Sequence, residues 1–186
     1  MKQTIRKGVF ETNSSSTHAI CVAKTGTFEE IPNKIEINLN DYEFGWEFAG
    51  YFTAEEKLAY LLLGILDYKY SILINGRFEK NPNHIKEVTN KFEKLGKLLK
   101  EIGVETLYVN GIYFYVGKYG FNINTNGYVD HANELEDFVD EILSSEELLK
   151  EYLFNPGSYI ATGNDNDDRD VDISETYPHE TYYKGN

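Results

Sequence analysis

The sequence predicts a single α+β domain, in which a mainly antiparallel sheet packs against three or four helices. Short β-branched apolar runs indicate strands, whereas two segments carry apolar residues at a spacing of three or four residues and a third is apolar nearly all round, which indicates helices. A chain of 186 residues can bury one hydrophobic core, and no linker or internal repeat divides it. We therefore expect one domain over residues 1–186, with a mobile acidic tail from about residue 167.

Two strands and one helix are predicted in the first third of the chain. The run 18–23 is short and apolar, and residues 34–39 alternate between polar and apolar side chains, so both are expected to be strands. Residues 53–56 have the form of a capping box, which starts a helix that continues to about Leu66. Because residues 58–66 are apolar nearly all round, we expect this helix at the centre of the core.

The middle of the chain predicts a surface helix followed by a hairpin. The helix begins at Asn81–Pro82, carries one apolar stripe and ends before Gly103. Runs 104–109 and 112–116 are rich in strand-forming residues, and the Asn-Gly pair between them favours a tight turn. A third strand is expected from Phe121.

The last third predicts two helices and a strand. Residues 133–143 have an apolar stripe, and the capping-box pattern of residues 144–147 starts a short helix that ends near Leu153. A turn at residues 155–157 then leads into a strand at 158–161.

The charge balance bears on the partners that the protein can bind. Eighteen Lys and Arg residues against 31 Asp and Glu residues produce a formal charge of -13, which repels phosphate backbones and anionic membranes. Direct nucleic-acid binding is therefore disfavoured, although Lys2, Arg6 and Lys7 form a local basic cluster. An acidic surface rich in tyrosine fits instead a basic groove on a host protein.

Cysteine usage and hydropathy indicate the compartment. Cys21 is the single cysteine, so no intrachain disulfide can form and an oxidising compartment is not implied. No apolar stretch approaches the roughly 20 residues of a membrane span, and the N-terminus lacks the apolar core of a signal peptide. We expect a cytoplasmic protein with no membrane association; the sequence does not indicate its oligomeric state.

The most concentrated polar chemistry lies at residues 11–18. Hydroxyls and loop amides bind phosphate or carboxylate oxygens, and a neutral imidazole can move protons near pH 7. We therefore predict His18 as a catalytic acid or base. The predicted ligand-binding residues of this run are Glu11, Asn13, Ser14, Ser15, Ser16 and Thr17. The alternative is a loop whose hydroxyls satisfy local backbone groups, with His18 simply leading the strand.

Two later segments are the candidates to complete such a site. Asp130 and His131 place a carboxylate beside an imidazole, so His131 is a second catalytic candidate and the pair could bind a metal with Asp165. Asn164 is a further ligand-binding candidate. The alternatives are a helix N-terminal pair at 130–131 and an acidic surface turn at 162–165. These residue types leave the cofactor open, and they could hold a divalent metal.

Three phrases of the sequence suggest a family. They are Val9 to His18, Gly127 to His131 and Ser158 to Asn166. The first phrase resembles the opening of an uncharacterised group of small proteins from phages, prophages and Firmicutes genomes, and the other two look like later signatures of that group. The resemblance implies a phage or mobile-element origin and marks three positions, without implying a chemistry.

Two functional hypotheses follow from these observations. In the first, the three polar segments converge on a pocket that binds, and could hydrolyse, a small anionic ligand such as a nucleotide or phosphate ester. In the second, the protein is a non-enzymatic acidic interaction protein, such as a nucleic-acid-mimicking inhibitor of a basic host protein.

Overall fold

The structure of the protein is a computed structural model. The described residues are 16–24, 26–45, 47–67, 71–74, 77–80, 83–117, 120–130, 135–164 and 179–184. Within these ranges the chain forms four α-helices, one large antiparallel sheet and several two-stranded sheets. The predicted α+β fold, with an antiparallel sheet and four helices, is thereby confirmed.

The largest sheet joins four strands that are far apart in sequence. They are β1 (Ser16–Ala23), β4 (Ala49–Tyr51), β11 (Tyr159–Asn164) and β12 (His179–Lys184). The strand order is β12, β1, β11, β4, and every neighbouring pair is antiparallel. β1 has a neighbouring strand on each side. Its apolar run from Ala19 to Ala23 is buried, as expected for a continuous apolar strand.

The C-terminal strand β12 differs from the predicted mobile tail. His179 lies opposite Ala23 and Lys184 lies opposite His18, so this stretch pairs along β1 as an edge strand. Its run of Thr, Tyr and Tyr is typical of a strand, a pattern that the acidic composition upstream obscured. Residues 165–178 lie outside the described residues, and for them the mobile tail stays a prediction.

Four helices pack against one another and against the strands. They are α1 (Ala54–Asp67), α2 (His84–Ile102), α3 (Glu136–Ile142) and α4 (Glu146–Phe154). Every residue from Lys57 to Leu66 is buried, and α1 contacts each of the other three helices. The prediction of a central buried helix is therefore confirmed.

Two helix starts test the predicted capping boxes. At α1, Glu56 N donates to Thr53 Oγ1 at 3.2 Å, and Thr53 N donates to Glu56 Oε2 at 2.9 Å, which confirms the reciprocal pattern. At α4 the cap is Ser145 and not Ser144, since the extended Ser145 accepts from the amide three residues on. The helix therefore starts one residue later than the box pattern predicts.

The predicted hairpin around Asn110 and Gly111 is wrong. The strands concerned are β2 (Lys34–Asn38), β7 (Thr106–Asn110), β8 (Tyr113–Gly117) and β9 (Gly120–Asn124). β7 pairs in parallel with β2, and β8 pairs with β9. Gly111 has the left-handed φ of 83° that the turn requires, but parallel pairing places Leu107 beside buried Ile35. Burial of apolar side chains outweighs the local turn preference.

The remaining strands form two small sheets. They are β3 (Glu43–Phe44) with β10 (Tyr128–Val129), and β5 (Ser71–Ile74) with β6 (Arg77–Lys80). One hydrophobic cluster includes buried residues from β1, β2, β11 and all four helices, so the described elements share one core. None of the described helices is long and apolar enough to cross a membrane.

Candidate functional site

The first and third polar segments lie side by side in the main sheet. The facing pairs are Ser16 with Asn164, Thr17 with Gly163 and His18 with Thr162. Because β1 and β11 are antiparallel, the start of β1 and the end of β11 lie at the same end of the sheet. Sheet pairing thus brings together two of the segments that the sequence analysis singled out.

A short stretch at the end of β3 contacts both of these strands. This bridging segment consists of Phe44, Gly45, Glu47 and Phe48. His18 Nε2 lies 3.0 Å from the carbonyl oxygen of Gly45, and Thr162 Oγ1 donates to the carbonyl oxygen of Glu47 at 2.6 Å. The bridging segment is therefore bonded to β1 through one side chain and to β11 through another.

The second polar segment reaches the same stretch of chain. β10 pairs in parallel with β3, and the amide of Asp130, just after β10, donates to the carbonyl oxygen of Phe44 at 2.9 Å. Asp130 is half-buried. Phe44 directly precedes Gly45, whose carbonyl faces His18. All three predicted segments therefore bond to the bridging segment, two through a side chain and one through a backbone amide.

Gly163 lets the bridging segment approach β11 closely. A Cβ atom at position 163 would lie 2.9 Å from a ring carbon of Phe48, which is closer than side chains normally pack. A side chain at position 163 would therefore displace the ring of Phe48 from its place against β11.

His18 is the central side chain of this arrangement. Its ring has no exposed surface, Nδ1 lies 2.9 Å from the hydroxyl of Tyr60 and Nε2 faces the carbonyl of Gly45. The ring is held from both sides, by α1 and by the bridging segment. In this arrangement a ligand does not reach the imidazole, so the geometry supports a positioning role; acid–base catalysis by His18 stays a prediction.

The described part of the site is negatively charged. Burial raises the pKa of the Tyr128 hydroxyl, and the charges of Glu43, Asp130 and Glu47 raise it further. Three carboxylates therefore act on one side chain of β10. An anion that binds here therefore needs a cation that compensates the negative charge of these carboxylates.

The other predicted residues divide between described and undescribed parts of the chain. Ser16, Thr17 and Asn164 are placed in the paired strands β1 and β11. The candidates outside the described residues are Glu11, Asn13, Ser14, Ser15, His131 and Asp165. Among the residues that are described, no three His, Cys, Asp or Glu side chains lie close enough to hold a metal ion. The ligand-binding and metal-binding assignments stay predictions.

Tyr60 is the residue that sequence reasoning missed. It sits in the apolar run of α1, which the pattern assigns to the core, and it is fully buried. One signal was present, because a hydroxyl inside an otherwise apolar run has to find a hydrogen-bond partner when it is buried. The sequence does not say that this partner is His18.

A separate acidic groove lies beside the N-terminus of α1. Its volume is about 450 Å³, and its lining residues are Glu29, Glu30, Pro32, Phe52, Thr53, Ala54, Glu55 and Phe154. The ring of Phe52 lies 5.7 Å from that of Tyr159, at the end of β11 opposite to Asn164. The groove is therefore distinct from the place where the three polar segments meet, and its charged lining residues are all acidic.

The candidate site has thus been located by contacts within the chain. The three phrases that resemble a group of phage and Firmicutes proteins include Asp130 and the paired ends of β1 and β11. Membership in that group stays a prediction. Comparison of the chain with protein-family models, with curated proteins and with solved structures finds no match.

Proposed function

We propose that the three polar segments form one site that binds a small anionic ligand, such as a nucleotide or phosphate ester. The observation that carries the proposal is the bridging segment, which bonds to His18, Thr162 and Asp130 through three successive parts of its backbone. Each bond adjoins one predicted segment. Residues from three separate parts of the chain thereby lie near one end of the sheet, as a ligand site requires.

The negative charge of the predicted segments indicates that an anionic ligand needs a cation beside it. The three segments contain Glu11, Asp130 and Asp165 but no Lys or Arg, so the formal charges of these segments by themselves repel a phosphate group. A divalent cation held by Asp130, His131 and Asp165 would remove this repulsion. We therefore propose binding of the ligand together with a divalent cation, which also supplies an acidic water for hydrolysis of a phosphate ester.

A thermal-shift experiment tests this proposal. ATP, AMP and inorganic phosphate are each added with and without Mg²⁺ or Mn²⁺, and the melting temperature is measured. Binding to the native state at a hundred times Kd contributes about 2.7 kcal/mol, which is on the order of 5 to 10 °C for a chain of this size. We expect stabilisation only when the anion and the cation are both present.

Variants locate the effect. Asp130→Asn should abolish the ligand-dependent shift, since it removes a carboxylate next to the bridging segment. Asp137→Asn, which removes an exposed carboxylate from α3, should leave the shift unchanged. Release of phosphate from ATP, measured in the same samples, shows whether binding leads to hydrolysis. No shift with any anion and cation pair contradicts the proposal.

The acidic groove favours a second candidate function, that of a non-enzymatic protein that binds a basic host protein. Glu29, Glu30 and Glu55 line the groove together with Phe52, whose side chain is 55% exposed. Carboxylates and an exposed aromatic ring can hold a Lys or Arg side chain by charge and by cation–π contact. The formal charge of -13 would speed such an encounter.

Capture of a host protein tests the second candidate. The immobilised protein is incubated with host lysate at low and at high salt, beside the double variant Glu29→Gln/Glu30→Gln. The control double variant, Glu146→Gln/Glu147→Gln, removes two exposed carboxylates at the start of α4. We expect a basic protein that is retained at low salt, lost at high salt and lost in the groove variant alone. If the same amount of protein is captured at low and at high salt, and by the wild-type protein and the groove variant, the result argues against this function.

Both proposals place the protein in the cytoplasm of a bacterium that carries a phage or prophage. The single cysteine, Cys21, is buried and free, which suits a reducing compartment. Nucleotides and basic nucleic-acid-binding proteins are both abundant there. Fractionation of expressing cells, with detection of the protein in the cytoplasmic fraction, checks this placement.

A further inference from the structure

Tyr60, His18 and Gly45 form a buried chain of hydrogen bonds from α1 to the bridging segment. Tyr60 Oη and His18 Nδ1 are 2.9 Å apart, and His18 Nε2 and Gly45 O are 3.0 Å apart. Tyr60 and His18 both have no exposed surface. These hydrogen bonds therefore link the central helix to the bridging segment, which all three polar segments contact.

The partners determine where the protons of this chain lie. A backbone carbonyl can only accept, so Nε2 of His18 carries a hydrogen and donates to Gly45. In the neutral ring Nδ1 is then an acceptor, so the hydroxyl of Tyr60 donates to it. Burial raises the pKa of Tyr60 well above 10, and the hydroxyl keeps its proton at neutral pH.

The ring of Tyr60 is itself fixed by aromatic packing. It meets the rings of Phe44 and Phe138 edge-on, with centroids 4.9 Å and 6.0 Å apart. Phe44 belongs to the bridging segment and accepts the amide of Asp130 through its carbonyl oxygen. Tyr60 thus holds Phe44 by ring contact and Gly45 through His18.

We infer that Tyr60 is a positioning residue for the candidate site. Its hydroxyl holds His18 as the tautomer protonated on Nε2, and this imidazole sets the place of the Gly45 carbonyl, one residue after the Phe44 carbonyl that accepts from Asp130. The effect on ligand affinity rests on the function proposed above, whereas the tautomer and the position of the bridging segment do not. Tyr60 acts through His18 and touches no ligand.

Nitrogen-15 NMR of the histidine rings tests the first part without any ligand. We expect the wild-type protein to show His18 as a neutral ring with its hydrogen on Nε2, and the variant His18→Asn identifies its signals among the four histidines. A ring protonated on Nδ1, or on both nitrogens, overturns the inference. This measurement needs no variant of Tyr60 to fold.

The variant Tyr60→Phe tests the second part, because it removes the hydroxyl and keeps the ring. The matched control is Tyr152→Phe, which removes another buried tyrosine hydroxyl, one that donates to Lys57 O at 2.8 Å. We expect Tyr60→Phe to speed solvent exchange of the Nε2 hydrogen about tenfold, as the loss of one buried hydrogen bond allows, and to shift the Asp130 amide signal. Tyr152→Phe should change neither.

Titration with ATP and Mn²⁺ tests whether the hydrogen bonds from Tyr60 through His18 to Gly45 affect ligand binding at the site. Tyr60→Phe should weaken binding of this probe about tenfold, comparable to the loss of a residue that orients a metal ligand, and Tyr152→Phe should not. If the wild-type protein does not bind the probe, the proposed function fails while the NMR result still decides the tautomer. If the Asp130 amide and the Nε2 exchange rate are unchanged in Tyr60→Phe, the positioning role is refuted.

Discussion

Lys57 shows at the residue scale how a charge can be held inside this core. It has no exposed surface, and its ammonium group lies 3.1 Å from the carbonyl oxygen of Ser158 and 3.4 Å from that of Asn155. Burial lowers its pKa to about 8, although nearby glutamates, Glu29 foremost, act in the opposite direction. Lys57 thus ties α1 to the turn that leads into β11.

The pKa of Lys57 predicts a pH dependence of stability. Between pH 8 and the unfolded value of 10.5 the unfolded state binds more protons, so stability should rise with pH. We expect the wild-type protein to gain about 1 kcal/mol between pH 8 and 9 relative to Lys57→Met. The raised pKa values of Cys21, Tyr60 and Tyr152 oppose the gain in the upper part of this window, from their ordinary values of 9.0 for Cys and 10.0 for Tyr, and they do so in both proteins. Urea unfolding at each pH measures it, and equal slopes for both proteins contradict the assignment.

Gly127 is a second residue whose effect can be predicted. A Cβ there would lie directly against the carbonyl oxygen of Leu39 and 2.9 Å from that of Tyr42, so Gly127→Ala should destabilise the protein by about 3 kcal/mol. Gly96, in α2, has no atom near such a Cβ, and Gly96→Ala should stabilise it by about 0.5 to 1 kcal/mol. Chemical unfolding compares the two, and a tolerated Gly127→Ala would show that the turn before β10 can move.

At the scale of elements, short-range patterns decide where helices begin and end. The box of Thr53 and Glu56 starts α1, and Gly103, with a φ of 108°, ends α2 by accepting the left-handed conformation. Both signals lie within a few residues of the boundary that they set. The start of α1 also lies beside the acidic groove, the surface on which the second proposed function depends.

A pair of threonine substitutions tests the cap. Thr53→Ala removes the oxygen that accepts from Glu56 N, and should lower the free energy of unfolding by about 1 kcal/mol. Thr89→Ala removes a hydroxyl that bonds to Ile85 O inside α2, where threonine is a weak helix former, so stability should stay the same or rise slightly. Thermal unfolding separates them; equal losses would mean that the box contributes no cap.

At the scale of the whole molecule, one core connects all the described helices to the sheet. Ile20 of β1, Leu61 of α1, Leu95 of α2 and Leu149 of α4 belong to the same buried cluster. The candidate site adjoins this core, because Tyr60 and Phe44, which contact the site, are fully buried members of the core. Loss of the core should therefore remove the site at the same time.

A single core predicts a single unfolding transition. Far-UV circular dichroism and the fluorescence of the one tryptophan should report the same midpoint in urea, because one cluster cannot be opened in part without exposing the rest. Tyr60→Phe should move both midpoints together. Two transitions, or midpoints that depend on the probe, would show that the chain contains separate cooperative units.

Local sequence patterns were sufficient to predict the fold class, the buried helix α1, the capping box of α1 and the end of α2. Each depends on residues close together in the chain, through apolar spacing or through hydrogen bonds across three or four positions. The sequence also marked the three polar segments, because concentrated hydroxyls and paired carboxylate and imidazole groups are visible without a structure.

How these parts meet depends on contacts between residues that are far apart in the sequence. His18 reaches Gly45 across 27 positions and Tyr60 across 42, and Thr162 reaches Glu47 across 115. The pairing of β7 with β2, in place of the local hairpin, likewise depends on which apolar faces the core can bury. Such contacts leave no pattern in the local sequence, because they join distant residues. The burial that stabilises them is shared over the whole chain. The roles of the bridging segment and of Tyr60 can therefore be recognised only in the folded structure.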